Sequence, residues 1–256
     1  MSPPSAAASA GGRYTLEIAA NSLGSALAAQ AGGADRVELC ENLGEGGTTA
    51  SYGTLALARD RLTIPLYALI RPRAGDFLYG AEERDTMLRD IELCVRLGCD
   101  GVVIGALDAE GRVDEELCRE LVAAAGSLGV TFHRAFDAAF DPAHALETII
   151  ALGCERVLTS GARNDAMQGS DAIAGHARQA RGRINLMAGA GITAGNIAEI
   201  ARLTGVRELH ASAKGVQLSR MRFRNETLQG LSVDWTQTQA ASVRALRDAL
   251  SAASAD

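Results

Sequence analysis

The chain has 256 residues, 47% hydrophobic and 22% charged, which is enough apolar material for a sizeable buried core and excludes a largely disordered protein. Its 31 acidic and 25 basic residues give a net charge of −6. Because no basic run is interleaved with aromatic residues, this charge argues against nucleic acid or a membrane as a partner and favours a small molecule.

The N-terminal end differs from the rest of the sequence. Residues 1–13 are predicted to form a disordered tail, because they begin with the small, uncharged run MSPPSAAASAGG. This start lacks the basic and apolar segments of a secretory signal, and no run approaches the roughly 20 apolar residues that span a bilayer. We therefore expect a cytoplasmic protein, and we expect its five cysteines, which form no CxxC pair, to be free thiols.

From residue 14 onwards, short segments rich in branched residues alternate with amphipathic segments. The predicted strands are YTLEIA, RVELC, PLYALI, GVVIG, VTFHR, RVLTS, INLMAG and RELHAS. The predicted helices cover residues 22–31, 54–61, 82–97, 114–125, 143–152, 196–204 and 235–252, with a further polar helix within residues 165–181. Eight βα units without a linker predict one α/β domain over residues 14–256, a single (β/α)8 TIM barrel, with an open doubly wound sheet as the alternative.

Strand side chains alternate between the barrel interior and the helix layer, and this alternation predicts an unusually polar interior. Glu17 and Glu38 face inward, which places two carboxylates on neighbouring strands. The other predicted inward residues are Cys40, Tyr67, Leu69, Arg71, Thr131, His133, Asn185, Met187, Glu208, His210 and Ser212. Because a buried charge needs a partner or water, these residues form either a salt-bridged core or a functional pocket at the C-terminal end of the barrel.

Several residues near the strand ends are candidates for binding an anion. Gly189 and Gly191 follow the seventh strand, where barrels often bind phosphate through backbone N–H groups, although a plain tight turn explains them equally. His210 and Ser212 lie at the end of the eighth strand. The loops after the third and fifth strands add residues that suit carboxylate or phosphate: Arg71, Arg73, Arg134 and Asp137. Arg73 with Asp76 and Arg134 with Asp137 could equally be ion pairs that hold the loops together.

The sequence evidence for a metal site is weaker than that for an anion site. Cu(I) prefers thiolate, thioether and imidazole ligands, and the inward residues of these types are Cys40, Met187, His133 and His210. None of them has the sequence spacing of a known metal motif, so only the folded barrel could bring them together.

Longer motifs carry a resemblance to a known family. They are, in chain order, GADRVELCENLGEGGTTASYG, IRPRAGDF, VTFHRAFD, RVLTSGARNDAMQG, MAGAGI, ELHASA and MRFRN. With these motifs the sequence resembles the CutC family over about residues 14–248. The resemblance implies a (β/α)8 barrel with a cytoplasmic role in copper homeostasis, with Cu(I) attached to cysteines near the strand ends. Similar family members carry LEVC in the first strand, whereas this chain reads LEIA, so Ala19 removes one of the two thiols and weakens the copper expectation.

Two functions compete on these observations. The first is a Cu(I)-binding barrel with Cys40 as the main ligand and Met187 or His210 as helpers, which follows mainly from the resemblance. A homodimer or higher homo-oligomer is expected because soluble proteins commonly form one. No cofactor other than copper is expected.

The second hypothesis is a lyase, isomerase or hydrolase that acts on a small phosphorylated or carboxylated metabolite. Glu17 or Glu38 would act as the general base and His133 as the acid. Arg71 and the loop at Gly189 and Gly191 would hold the anion. A third, non-catalytic role in binding such a metabolite stays open.

Overall fold

The architecture is a closed barrel of eight parallel strands, seen in a computed structural model that describes residues 13–225, 227 and 232–253. The strands pair in chain order, and the eighth returns to pair with the first. They are β1 (Thr15–Ala20), β2 (Arg36–Leu39), β3 (Leu66–Leu69), β4 (Gly101–Ile104), β5 (Gly129–Phe132), β6 (Arg156–Thr159), β7 (Asn185–Gly189) and β8 (Glu208–Ala211). The predicted single (β/α)8 barrel is confirmed.

The helices pack around the outside of the barrel and bury one face each against the strands. They are α1 (Leu23–Ala31), α2 (Tyr52–Arg61), α3 (Ala81–Leu97), α4 (Glu115–Ala125), α5 (Pro142–Ala151), α6 (Ser170–Ala180), α7 (Ile197–Thr204) and α8 (Ala240–Ala253). Polar side chains such as Ser22 and Asp114 accept the first free backbone N–H groups of α1 and α4. Gly98 and Gly205 end α3 and α7 in the left-handed conformation, which glycine adopts without a steric cost.

The predicted start of the last helix, at residue 235, is wrong. Trp235–Thr238 is a strand, β10, which pairs antiparallel with β9 (Lys214–Gln217), and the helix α8 begins only at Ala240. The Thr238 N–H donates to the Ser25 Oγ at 3.1 Å and attaches this hairpin to α1. Because the partner strand lies about twenty residues earlier, local periodicity could not reveal the pairing.

The structure does not test the predicted N-terminal tail. Residues 1–12 of the predicted tail lie outside the described residues, and Arg13 pairs with Asp35 at 3.1 Å. Among the described residues, no helix is both long enough and apolar enough to cross a membrane. Cellular location and oligomeric state stay predictions.

Tyr67 occupies the lower part of the barrel interior and needs two glycines beside it. A Cβ at Gly101 would lie 2.1 Å from the Tyr67 Cε1, and one at Gly129 would lie 2.3 Å from the Tyr67 Oη. The guanidinium groups of Arg36 and Arg156 lie 5.2 and 5.3 Å from the ring centroid. This part of the barrel is therefore filled by an aromatic ring and two cations instead of a layer of aliphatic side chains.

Candidate active site

A buried ionic network lies beneath the mouth of the barrel. The Arg36 Nε donates to Glu17, and its Nη2 donates to Glu208 at 2.6 Å. Arg156 donates from Nε to the same Glu208 carboxylate at 2.7 Å. Two guanidinium groups thus neutralise two carboxylates in a region with little access to water.

Glu17 and Glu208 were predicted inside the barrel from the strand alternation, but neither arginine was. Arg36 lies two residues before Glu38, so the same alternation that turns Glu38 inward also turns Arg36 inward. Arg156 begins β6, which with β4 is one of the two strands for which no inward residue was predicted. The signal for both was therefore present in the sequence.

Glu17 is fully engaged in this network. One oxygen accepts from Arg36, and the other lies 2.7 Å from the His210 Nδ1. Burial by itself would raise the pKa of Glu17, but Arg36 and His210 hold it far below its ordinary value. Burial would lower the pKa of His210, yet Glu38 and Glu17 together raise it. Glu17 is thus a fixed anion that orients His210, and it is poorly suited to the predicted role of general base.

Above the network, a cavity of about 1070 Å³ opens at the C-terminal ends of the strands. It brings together eight of the residues predicted from the sequence: Glu38, Arg71, His133, Arg134, Asp137, Gly191, His210 and Ser212. Five other predicted residues do not line it: Glu17, Cys40, Arg73, Met187 and Gly189. Gly189 has a packing role instead, because a Cβ there would lie 2.6 Å from the Leu158 Cδ1.

Three of the residues that line the cavity carry a buried polar atom without a hydrogen-bond partner. The atoms are the Glu38 Oε2, the Arg71 Nε and the His133 Nε2, and each of the three residues is 5% exposed. An unsatisfied buried group costs about 1–3 kcal/mol, so three such groups in one place require an explanation. Burial, with the nearby Glu17 anion adding to it and His210 opposing it, raises the pKa of Glu38 to about 7.

Most of the hydrogen-bonding capacity of Arg71 is used within the protein. Its Nη1 donates to the carbonyl oxygens of Glu45 and Gly47, and its Nη2 donates to that of Gly75 at 2.7 Å. The guanidinium thus braces the loops after β2 and β3. Three of the five N–H groups of Arg71 are therefore used by loop carbonyls, and only part of the guanidinium is left for the predicted contact with an anion.

His133 is held at the start of a short 3-10 helix, Arg134–Ala138. Its Nδ1 accepts the backbone N–H of Ala135 at 3.1 Å. Burial and the charge of Arg71 lower the pKa of His133 to about 3. The ring is therefore neutral at physiological pH, which disagrees with the predicted role of a protonated acid.

The other predicted arginines form ion pairs that hold loops in place. Arg134 donates to Asp137 at 2.8 Å, and Asp137 also accepts from the Thr159 hydroxyl at 2.5 Å. Arg73 pairs with Asp76 at 2.9 Å, outside the cavity. Both pairs follow the ion-pair alternative, although Arg134 and Asp137 also border the cavity.

The rim of the cavity carries two cations that were not among the predicted site residues. Arg163 and Lys214 line the cavity, are exposed, and form no ion pair or side-chain hydrogen bond with another residue in the described ranges. Beside them the loop after β7 turns through Gly191, whose φ of 67° favours glycine. Asn196 fixes this loop by donating to the Gly191 carbonyl at 2.9 Å. The rim is therefore positively charged.

The sulfur atoms predicted as copper ligands lie away from the cavity. Cys40 is buried in an apolar cluster with Tyr67, Leu69 and Val103, and burial raises the pKa of its thiol well above the ordinary value. The Met187 Sδ lies 3.4 Å from the Arg36 Nη2. Because Cu(I) needs a thiolate or an accessible thioether, a neutral thiol and a sulfur beside a guanidinium do not fit it well.

Within the described part of the chain, one group of three acidic or imidazole side chains could approach a metal ion, and it excludes Cys40. It consists of Glu17, Glu38 and His210, whose ligand atoms lie within 4.8 Å of one another. Both Glu17 oxygens already serve Arg36 and His210, so this cluster is better described as an ionic network than as a vacant ligand set.

Comparison with known proteins decides the family. The sequence pattern of the CutC family matches residues 14–215. The chain belongs to the CutC family. The CutC protein of Xanthomonas axonopodis pv. citri (strain 306) is 57% identical over 235 residues, which are 92% of this chain and 98% of that protein. The resemblance found in the motifs is confirmed.

Solved structures agree with this assignment. The CutC protein of Streptococcus agalactiae, whose name refers to copper homeostasis, superposes with a TM-score of 0.75 and 34% sequence identity. That match covers 78% of this chain and 98% of the other. Thiamine phosphate pyrophosphorylase from Pyrococcus furiosus matches with a TM-score of 0.60 at 13% identity, over 94% of this chain and 96% of the other, which indicates a shared fold alone.

Proposed function

We propose that this CutC-family chain is an acid–base enzyme that acts on a small phosphorylated or carboxylated metabolite, with Glu38 as the group that accepts and returns a proton. The observation that carries the proposal is the set of three buried polar atoms without partners on Glu38, Arg71 and His133, all residues of one cavity. A purely structural salt-bridged core would pair such atoms. A bound substrate supplies the missing partners.

The charge of the rim supports an anionic substrate. Arg163 and Lys214 carry positive charges that no described residue neutralises, and both border the cavity. The loop at Gly191 lies after β7, the place where many barrels bind phosphate. We assign these groups to the anionic end of the substrate and Glu38 to the reacting end.

The protonation of Glu38 suits both directions of proton transfer. With a pKa of about 7, both forms of its carboxyl group are populated near neutral pH. Its ligand atoms lie within 4.8 Å of those of His210, whose ring is oriented by Glu17. His210 is therefore placed to follow a change of charge on Glu38.

The test is the transfer of deuterium from D2O into C–H bonds of a panel of phosphorylated and carboxylated metabolites, followed by NMR. We expect the wild-type protein to label at least one compound and Glu38→Gln to be about 10²–10⁴-fold slower, since amide nitrogen cannot take the proton. Glu116→Gln, an exposed substitution on α4, is the matched control and should keep the wild-type rate. Labelling at the buffer rate throughout, or full activity in Glu38→Gln, would reject the proposal.

A role in copper handling is the second candidate, favoured by the name of the Streptococcus agalactiae relative and by the position of Cys40 directly after β2. It is tested by anaerobic titration of the reduced protein with Cu(I) against a competing chelator. Because the Cys40 thiol is buried and hard to ionise, we expect weak binding that Cys40→Ala does not change. The control is Cys118→Ala, which removes a different buried thiol, located on α4. One-to-one binding lost in Cys40→Ala alone would establish the copper site instead.

A further inference from the structure

We infer that the His133 Nε2–H and the Arg71 Nε–H form a two-donor site for a carbonyl oxygen, so that the substrate is a carbonyl compound that reacts at the carbon beside its C=O group. This inference rests on the proposed function and narrows it. It stands on the contacts of the two side chains, because those contacts decide which atoms can donate.

The hydrogen bond to Ala135 fixes the tautomer of His133. The backbone N–H of Ala135 donates to the His133 Nδ1 at 3.1 Å, so this nitrogen presents its lone pair and carries no proton. A neutral imidazole that accepts at Nδ1 has its proton on Nε2. The Nε2 is buried and has no partner, so it offers a hydrogen-bond donor that nothing in the described protein uses.

The ring of His133 has little freedom to move. A Cβ at Gly105 would lie 2.5 Å from both the Nδ1 and the Cε1 of His133, so the imidazole packs directly on this glycine. The Phe77 ring centroid lies 5.1 Å from that of His133. A donor held in this way needs no rearrangement when charge develops on a substrate oxygen.

Arg71 supplies the second donor. Three loop carbonyls fix its guanidinium, its Nε is buried without a partner, and its Cζ lies 5.2 Å from the Phe77 ring centroid. Both donors therefore pack against the same phenyl ring. The positive charge of Arg71 also helps to lower the pKa of His133 and so favours its neutral form.

The chemistry that needs these donors is enolisation. The C–H bond next to the carbonyl breaks, and its proton moves to the carboxylate of Glu38. The electron pair of that bond forms a C=C bond while the π pair of the C=O group moves onto oxygen. The N–H groups of His133 and Arg71 stabilise the resulting oxyanion, and Glu38 later returns the proton.

The test uses ¹⁵N-histidine-labelled protein, with the His133 signals assigned by their loss in His133→Leu. We expect the NMR shifts of a neutral, Nε2-protonated ring that do not titrate between about pH 5 and 8. Oxalate, a planar mimic of an enolate, should shift the His133 Nε2–H resonance, whereas acetate should shift it much less. His133→Leu should bind oxalate roughly tenfold to hundredfold more weakly, and the exposed variant His144→Leu should bind it as the wild type does.

Several outcomes would overturn the donor site: a protonated Nδ1, a charged ring, no oxalate-induced shift, or unchanged oxalate affinity in His133→Leu. If His133→Leu fails to fold, His133→Gln provides the assignment instead, and the tautomer and the oxalate shift of the wild-type protein decide. Failure of the proposed function looks different, because deuterium labelling would then be absent while oxalate still contacts His133. Labelling that depends on Glu38 without any oxalate contact at His133 would keep the proposed function and overturn the donor site alone.

Discussion

Replacing Arg36 with methionine is expected to lower the free energy of unfolding by about 3–5 kcal/mol. The guanidinium joins Glu17 and Glu208 and lies over the Tyr67 ring. Methionine fills part of the volume but leaves two buried carboxylates short of one cation. Breaking a buried ion pair in this way costs much more than the intact pair contributes, because the remaining charge has no water to solvate it.

Urea unfolding at neutral pH measures this effect. The matched control is Arg96→Met on the surface of α3, where the arginine pairs loosely with Glu92 at 3.8 Å. Exposed pairs contribute about 0–1 kcal/mol, so this variant should stay close to the wild type. If Arg36→Met lost no more stability than Arg96→Met, the network would be no stronger than a surface pair.

Replacing Glu38 with glutamine is expected to have the opposite effect on stability at pH 8, a gain of about 2–4 kcal/mol. Burial raises the pKa of Glu38 from its ordinary value of 4.5 to about 7. Between these two values the folded protein holds a proton that the unfolded chain has released, so stability falls as the pH rises. Above pH 7 the folded protein must carry a buried carboxylate, and glutamine removes that cost.

The difference between Glu38→Gln and the wild type should therefore be small below pH 4.5, grow up to about pH 7, and stay level above it. Urea unfolding at a series of pH values gives this curve. Glu116→Gln, an exposed substitution on α4, should show no such trend. A gain that is equal at all pH values, or a loss at pH 8, would contradict the raised pKa. A residue that destabilises the folded protein yet is needed for activity is what a catalytic role predicts.

Local patterns were sufficient for most of the fold. Branched apolar segments predicted β1 to β8 and amphipathic segments predicted most of the helices between them, because these patterns act over a few residues. The β9 and β10 hairpin was missed, since Thr236 and Thr238 acquire their partners from a strand far back in the chain. The segment reads as polar on its own, and only its pairing with Val216 and its neighbours makes it a strand.

The candidate site divides in the same way. Alternation along each strand placed Glu38, Arg71 and His133 inside the barrel, and the structure gathers them at one cavity. The alternation could not distinguish Glu17 from Glu38. Both carboxylate oxygens of Glu17 have polar partners, whereas one oxygen of Glu38 has none. That difference depends on Arg36, which stands opposite Glu17 in the strand register.

The sequence by itself determined the class of fold and, for six of the eight strands, the side on which the polar groups lie, because alternation along a strand is a local property of the chain. Only the tertiary structure decided which of those groups keep a free donor or acceptor. The Nη groups of Arg71 go to loop carbonyls, and the Nδ1 of His133 goes to a backbone N–H. Closing the barrel sets the register and the loop positions that fill these hydrogen bonds, and what they leave unfilled defines the proposed site.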